Sequence, residues 1–289
     1  MTDAREAGTF GLDDEALATR STVFAPNSFN GKVVVVSGGA GGIGRAAAWL
    51  FARLGAHVVI SGRSQEKIDA VANALQAAGL KCSGHPVDVR DPDAVAAFFD
   101  TVWAEQGRLD ILVNSAGGQF PQAAIDYSVK GWNAVINTNL NGTWFMMQAA
   151  ARKWRDAGQA GSIVNIVVVT TGGLYGVAHS VAARAGVISL SQNLAVEWAP
   201  LGIRINCIAP GAIETEGWKV YAPEARAAYP SSNPSMRVGD AWDIAEACVY
   251  LGGPSGKFIT GDLLTIDGGA QHWGETWTTG KPDYFKQAD

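Results

Sequence analysis

The chain has 289 residues, 47% of them hydrophobic and 17% charged, enough for one substantial core and without the bias of a disordered or fibrous protein. A formal net charge of −5 argues against a nucleic-acid partner, because phosphate binding needs a basic face. The polar, acidic first residues exclude a secretory signal, and no apolar run has the length of a membrane span.

Residues 1–30 show little periodicity and read as an extension ahead of a single domain over 31–270, with a tail at 271–289. From Lys32 onward, strand-like and helix-like segments alternate with short connections. VVVV at 33–36 is followed by an Ala-rich helical run from Ile43, HVVIS at 57–61 and an amphipathic stretch from Ser64. CSGHPVDV then leads to a helix from about Asp91, LDILVN at 109–114 and long helical segments through Lys153. SIVNIVVV, a helix from about Ala178, IRINCIAP and LLTIDG complete the series. This rhythm predicts an α/β fold with a doubly wound, seven-stranded parallel sheet of Rossmann type, buried on both faces, with ligands at the C-terminal strand ends. Residues 213–239 are the irregular exception, and a loop of that length predicts a substrate lid.

SGGAGGIG follows the first strand and opens a helix, placing Gly38, Gly42, Ile43 and Gly44 where backbone N–H groups approach a pyrophosphate without side chains in the way. After the second strand an NAD site carries an acid for the ribose, whereas SGRS places Ser61 and Arg63 there. Arginine suits a 2′-phosphate, so NADP(H) is expected over NAD(H); the alternative is a solvated arginine at a helix start. Cys82, Cys207 and Cys248 are not paired in redox or metal spacing, which fits a reducing cytoplasm, and His57, His85 and His272 lack ligand-spaced partners, so no metal site is expected.

The spacing Gly38-xxx-Gly42-x-Gly44 resembles the cofactor loop of the short-chain dehydrogenase/reductase superfamily, and further blocks follow in the superfamily's order. VDV at 87–89, with Asp88 and Val89, resembles the adenine-side segment, and NSAG, with Asn114, Ala116 and Gly117, is similar to the NNAG turn. Asn139 matches the family asparagine, for which the resemblance implies the ordering of a relay water, and Pro210, Gly211, Ile213 and Thr215 stand where the nicotinamide end is held. GGQF, KGWNAVINTNLNGTWF and VAHSVAARAGV look like peroxisomal trans-2-enoyl-CoA reductase and its bacterial relatives, and more distantly like 2,4-dienoyl-CoA reductases. A homotetramer is implied by analogy.

The superfamily's serine, tyrosine and lysine positions are occupied here by Val168, Ser180 and Arg184, and Val169 stands at the dienoyl-CoA reductase tyrosine. A serine hydroxyl is a poor acid for the alkoxide formed from a ketone, whereas an enolate needs only hydrogen-bond donors and water. Ser180 is therefore expected as an oxyanion donor and Arg184, four residues on, as a fixed cation at the nicotinamide ribose. Tyr175 is the substitute acid, or else a turn anchor, and His179 is expected in a surface or packing role. Trp218, Tyr221 and Tyr229 suit an apolar wall, Lys219, Arg226 and Arg237 either CoA phosphates or solvent, and the two tail tryptophans a subunit contact or the pocket rim. Three functions follow: an NADP(H)-dependent enoyl-thioester reductase, an alcohol dehydrogenase or carbonyl reductase on a hydrophobic, for example terpenoid, substrate, and a catalytically silent nucleotide-binding protein.

Overall fold

The computed structural model describes residues 10–172, 174–274 and 276–285. In chain order its strands are β1 (Val33–Ser37), β2 (His57–Gly62), β3 (Cys82–Pro86), β4 (Ile111–Asn114), β5 (Gly161–Ile166), β6 (Ile203–Pro210), β7 (Ile213–Glu214), β8 (Gly239–Asp240) and β9 (Leu263–Ile266). The α-helices are α1 (Asp14–Thr19), α2 (Gly42–Arg53), α3 (Gln65–Ala77), α4 (Pro92–Gln106), α5 (Val129–Ile136), α6 (Gly142–Ala157), α7 (Ala178–Glu197), α8 (Pro223–Ala228) and α9 (Ala241–Gly252). Seven strands pair in parallel in the order β3-β2-β1-β4-β5-β6-β9, the doubly wound sheet expected from the alternation of apolar runs.

The four valines of β1 explain why the sheet is central. Val34 and Val36 belong to the core on one face, Val33 and Val35 to the core on the other, and all four are buried. A strand between two helical layers has no polar face to keep, so its sequence is a continuous apolar run rather than an alternation. The strand order reverses between β1 and β4, which opens a crevice at their C-terminal ends.

Two segments carry more structure than their sequence announces. Residues 10–30 pack against the domain: Asp13 caps α1 by accepting the Ala16 N–H at 2.8 Å, Leu17 and Phe29 are buried, and Phe29 meets Phe51 edge to face at 5.1 Å. A six-residue helix with one buried leucine is too short to show a hydrophobic period. Residues 213–239 are not an irregular loop. β7 and β8 pair at the base of the segment, which folds between them into a 3₁₀ turn at Glu216–Val220, α8 and a second 3₁₀ turn at Tyr229–Ser232.

Because Phe29 anchors residues 10–30 to the core, Phe29→Ala should lower unfolding stability by about 3–5 kcal/mol in chemical denaturation. Val23→Ala, at a position that is 90% exposed, should leave it unchanged. Equal effects would overturn the packing role assigned to this segment.

Candidate active site

The crevice between β1 and β4 is lined by backbone. Gly38 has φ +75° and donates its N–H to Ser61 O at 2.8 Å; a Cβ here would lie 2.7 Å from the Ala116 nitrogen. A Cβ on Gly44 would run into the Gly38 carbonyl. Only glycine lets the turn after β1 pack against the turn after β4 while opening directly into α2. Ser37 and Ser61, at the ends of β1 and β2, are buried with side-chain oxygens that lack a hydrogen-bond partner. Arg63 is exposed at the start of the next connection, close enough to Asp88 to contribute to its acidity. The Arg90 guanidinium, bonded to Asp88, is the main cause holding that carboxyl down at about 2. Val89 meets Gly142 at the start of α6, where a Cβ would come within 2.6 Å of it.

Next to the crevice, a five-residue π-helical turn at Asn137–Asn141 joins α5 to α6 and presents Asn139 inward. Such widened turns recur at functional sites because they free a carbonyl and re-aim a side chain. Thr143 donates to the Asn139 carbonyl at 2.9 Å. The Asn139 amide accepts the Gly118 N–H at 3.0 Å and donates to the Gly118 carbonyl at 3.0 Å, and also to Ser180 Oγ at 3.2 Å. Since Ser180 Oγ accepts from Asn139, its hydroxyl hydrogen is left for another acceptor.

Arg184 lies one turn along α7 from Ser180 and is also buried. One Nη donates to the Ala116 carbonyl at 3.3 Å; the other has no partner. No described carboxylate forms an ion pair with it. Burial lowers the guanidinium to about 10, so it stays cationic at neutral pH. Among the described residues the titratable group acting on it is Cys207, which burial pushes up to about 11 and which is therefore a neutral thiol there. Gly117 must lack a side chain, because a Cβ would occupy the space of the Arg184 guanidinium.

The structure thus brings together Asn139, Ser180, Arg184 and the Ala116-Gly117 turn. Asn114 is nearby at the end of β4, donating to Asn165 at 2.9 Å and leaving its own buried carbonyl oxygen unpartnered. Pro210 ends β6, and Gly211 backs onto Asp267, where a Cβ would meet its Cα at 2.7 Å. Ile213 lies in β7, and Thr215, beside Gly42, accepts the Gly217 N–H. Tyr175 is not brought to this cluster: its ring is 92% exposed, because the turn that carries it is held through Gly176, whose carbonyl accepts from Tyr127 Oη and Gln122 N–H. Val168 and Val169 are half-buried.

Of the two roles expected for His179, packing is the one found, and two further features were missed by sequence reasoning. His179 is wholly buried, its Nδ1 accepting the Ser180 N–H at 2.8 Å and its ring stacked on Tyr127 and edge-on to Phe120, both at 4.5 Å. The GGQF block gave the only signal, since Phe120 forms this wall. Gln119 bonds the Tyr221 hydroxyl, and Tyr221, Tyr229, Trp218 and Phe10 pack in series. Arg226 lies over the Phe10 ring and Arg237 pairs with Asp243 at 3.3 Å, which engages two of the three cations considered for CoA. In the tail, Trp273, Trp277 and Phe285 cover one another. The second missed feature is Glu216, which meets the glycine turn.

A doubly wound sheet with a glycine turn at its switch point, orphaned polar atoms along it and an unpaired buried cation defines a dinucleotide-dependent oxidoreductase architecture, and these residues fit a nicotinamide coenzyme. Residues 38–271 match the family described as enoyl-(acyl carrier protein) reductase, and the chain belongs to the short-chain dehydrogenase/reductase superfamily. It is 40% identical over 243 residues to a probable 2,4-dienoyl-CoA reductase, (2E)-enoyl-CoA-producing, of Bacillus subtilis, covering 82% of this chain and 96% of that one. To the peroxisomal 2,4-dienoyl-CoA reductase, (3E)-enoyl-CoA-producing, of Rattus norvegicus it is 36% identical over 264 residues, covering 89% and 90%. The solved structure of a citronellol catabolism dehydrogenase from Pseudomonas aeruginosa superimposes with a TM-score of 0.78 at 36% identity, covering 86% and 99%. No helix of the described residues is long and apolar enough to cross a membrane.

A buried guanidinium with so little compensation costs folding free energy, and replacing such a charge by an apolar chain of similar length is often neutral or stabilising by about 1–4 kcal/mol. Arg184→Met should therefore unfold at the same or a higher temperature than wild type, while losing the stabilisation conferred by added NADPH. A drop of several degrees in the ligand-free protein would show that Arg184 serves the fold instead.

Proposed function

We propose that this oxidoreductase is an NADP(H)-dependent reductase of the conjugated C=C bond of an enoyl thioester. The observation that carries the reading is the pairing of Ser180, whose hydroxyl hydrogen is uncommitted, with Asn139 beside the half-paired cation Arg184, at positions where the chain has no tyrosine and no lysine. The similarity to two 2,4-dienoyl-CoA reductases supports a thioester substrate.

In this reading the coenzyme supplies a hydride to the β-carbon when bound. The C=C electron pair moves onto the α-carbon and thioester oxygen, and Ser180 donates a hydrogen bond to that developing enolate oxygen. Asn139 holds the Ser180 oxygen from the opposite side and keeps the Gly118 backbone in place. Arg184, with its unpaired Nη, would hold the nicotinamide ribose, and its fixed positive charge would favour enolate formation. A water molecule protonates the α-carbon, so no side chain needs to be a strong acid. The turns after β1 and β4, with Gly38, Gly42, Ile43, Gly44, Asn114, Ala116 and Gly117, would hold the dinucleotide, with Asp88 and Val89 at the adenine and Pro210, Gly211, Ile213 and Thr215 at the nicotinamide end. Ser61 and Arg63 would hold the 2′-phosphate. The aromatic series Trp218, Tyr221 and Tyr229 would wall the acyl chain, and the working assembly is a cytoplasmic homotetramer by family analogy.

A second reading, oxidation of a hydrophobic alcohol or reduction of its carbonyl, is favoured by the likeness to the citronellol catabolism dehydrogenase. Purified protein incubated with NADPH or NADP⁺ and a panel of enoyl-CoA esters, ketones and terpenoid alcohols separates the two by which compound changes nicotinamide absorbance. We expect enoyl-CoA consumption, lost by about 10²-fold in Ser180→Ala, the usual scale for one oxyanion donor, and retained in Tyr175→Phe. Loss in Tyr175→Phe alone would refute the assignment; coenzyme binding without turnover of any compound would leave a silent binding protein. For the coenzyme, Arg63→Ala should weaken NADPH by about 10- to 100-fold, the scale of a charge-assisted hydrogen bond, and NADH hardly at all. Equal weakening of both in calorimetric titrations would reject the NADP(H) preference.

A further inference from the structure

The first turn of α2 is where a phosphate would be expected, and a side chain of this chain already occupies part of it. The helix begins after Gly41, which has no side chain to cap it, and carries no acid in its first turn. In contrast, α3, α4 and α9 are capped by Ser64, Asp91 and Asp240. A helix start left in this way exposes N–H groups and partial positive charge, which attract an anion. That anion comes from 174 residues away: the Gly42 N–H donates to Glu216 Oε2 at 3.0 Å.

A second contact ties the carboxylate down. Glu216 Oε1 lies 3.6 Å from the Arg45 guanidinium on the same helix, and Arg45 in turn donates to the Leu12 carbonyl and lies 3.7 Å from Asp14. Thr215, the preceding residue, lies against Gly42, where a Cβ would touch it at 3.5 Å. The segment before α1, the helix α2 and the turn after β7 therefore form one clasp over the glycine turn.

We propose that Glu216 is an internal competitor for the coenzyme's pyrophosphate and so a determinant of coenzyme affinity. This deepens the reading of the turn after β1 as the coenzyme site and rests on it. A carboxylate and a phosphate cannot both accept fully from the Gly42 N–H, and the two anions repel at that distance. Binding must displace Glu216, which releases the turn at Glu216–Val220 and with it Trp218, a residue of the aromatic wall. Apparent affinity falls in proportion to the fraction of molecules left competent, so a clasp closed about nine-tenths of the time weakens binding about tenfold.

The test is calorimetric titration of wild type, Glu216→Gln and Glu216→Ala with NADPH, ADP and adenosine, with circular dichroism to establish that each variant is folded. We expect both variants to bind NADPH and ADP more tightly, up to about tenfold for Glu216→Ala, and adenosine with unchanged affinity, because only the first two carry a pyrophosphate. Unchanged or weaker NADPH binding in both variants, or an equal gain for adenosine, overturns the proposal while leaving the coenzyme reading intact. If ADP binding tightens but no protein binds NADPH, the competitor role stands and the coenzyme reading fails. If none of the three proteins binds any of the ligands, both fail.

Discussion

The guanidinium of Arg184 is buried behind the end of β4 with a single carbonyl among the described residues to receive its hydrogen bonds, and much of the candidate site follows from accommodating it. The charge needs room, so position 117 must be glycine. It needs a rigid neighbour, and the Ala116-Gly118 stretch is held by both ends of the Asn139 amide. Asn139 in turn reaches that stretch because the helix between α5 and α6 widens by a π-turn. A buried charge that is only partly compensated persists in a fold when it is used, since uncompensated burial otherwise costs stability.

The same economy of partners marks the strand ends. Side-chain oxygens of Ser37 and Ser61, the Asn114 carbonyl and one Arg184 nitrogen all lie buried and unpartnered around the crevice at the switch point. Elsewhere in the sheet, polar groups are closed onto one another: Asn165 joins Asn114 to Ser191, and Asn206 bonds the chain around Ile259 and Asp262. Further unpartnered atoms lie on His179, Asn233 and Trp277, but the group at the strand ends is the one set around a crevice where a ligand could supply the missing partners.

Around this centre, segments distant in sequence come together. Residues 10–20 and 215–229 meet through Phe10, Trp218 and Tyr229 on the apolar side and through Arg45 and Glu216 on the polar side. The polar and apolar contacts share one element, since the turn that carries Glu216 also carries Trp218.

The sheet was legible in the sequence because strands buried on both faces must be continuous apolar runs, and β1 with its four valines could be nothing else. The glycine turn was legible for a related reason, since close backbone approach is a local constraint written in adjacent letters. Asn139, Ser180 and Arg184 were instead reached through the resemblance to the superfamily's blocks, their four-residue spacing adding only that the last two share a helix face. The tertiary structure alone decided which hydroxyl enters the site, since Ser180 and Tyr175 are five residues apart yet one is buried and the other 92% exposed. It also decided the burial of His179, the docking of residues 10–30 and the meeting of Glu216 with Gly42. Each of these depends on contacts between segments far apart in the chain, where neither periodicity nor motif spacing carries information.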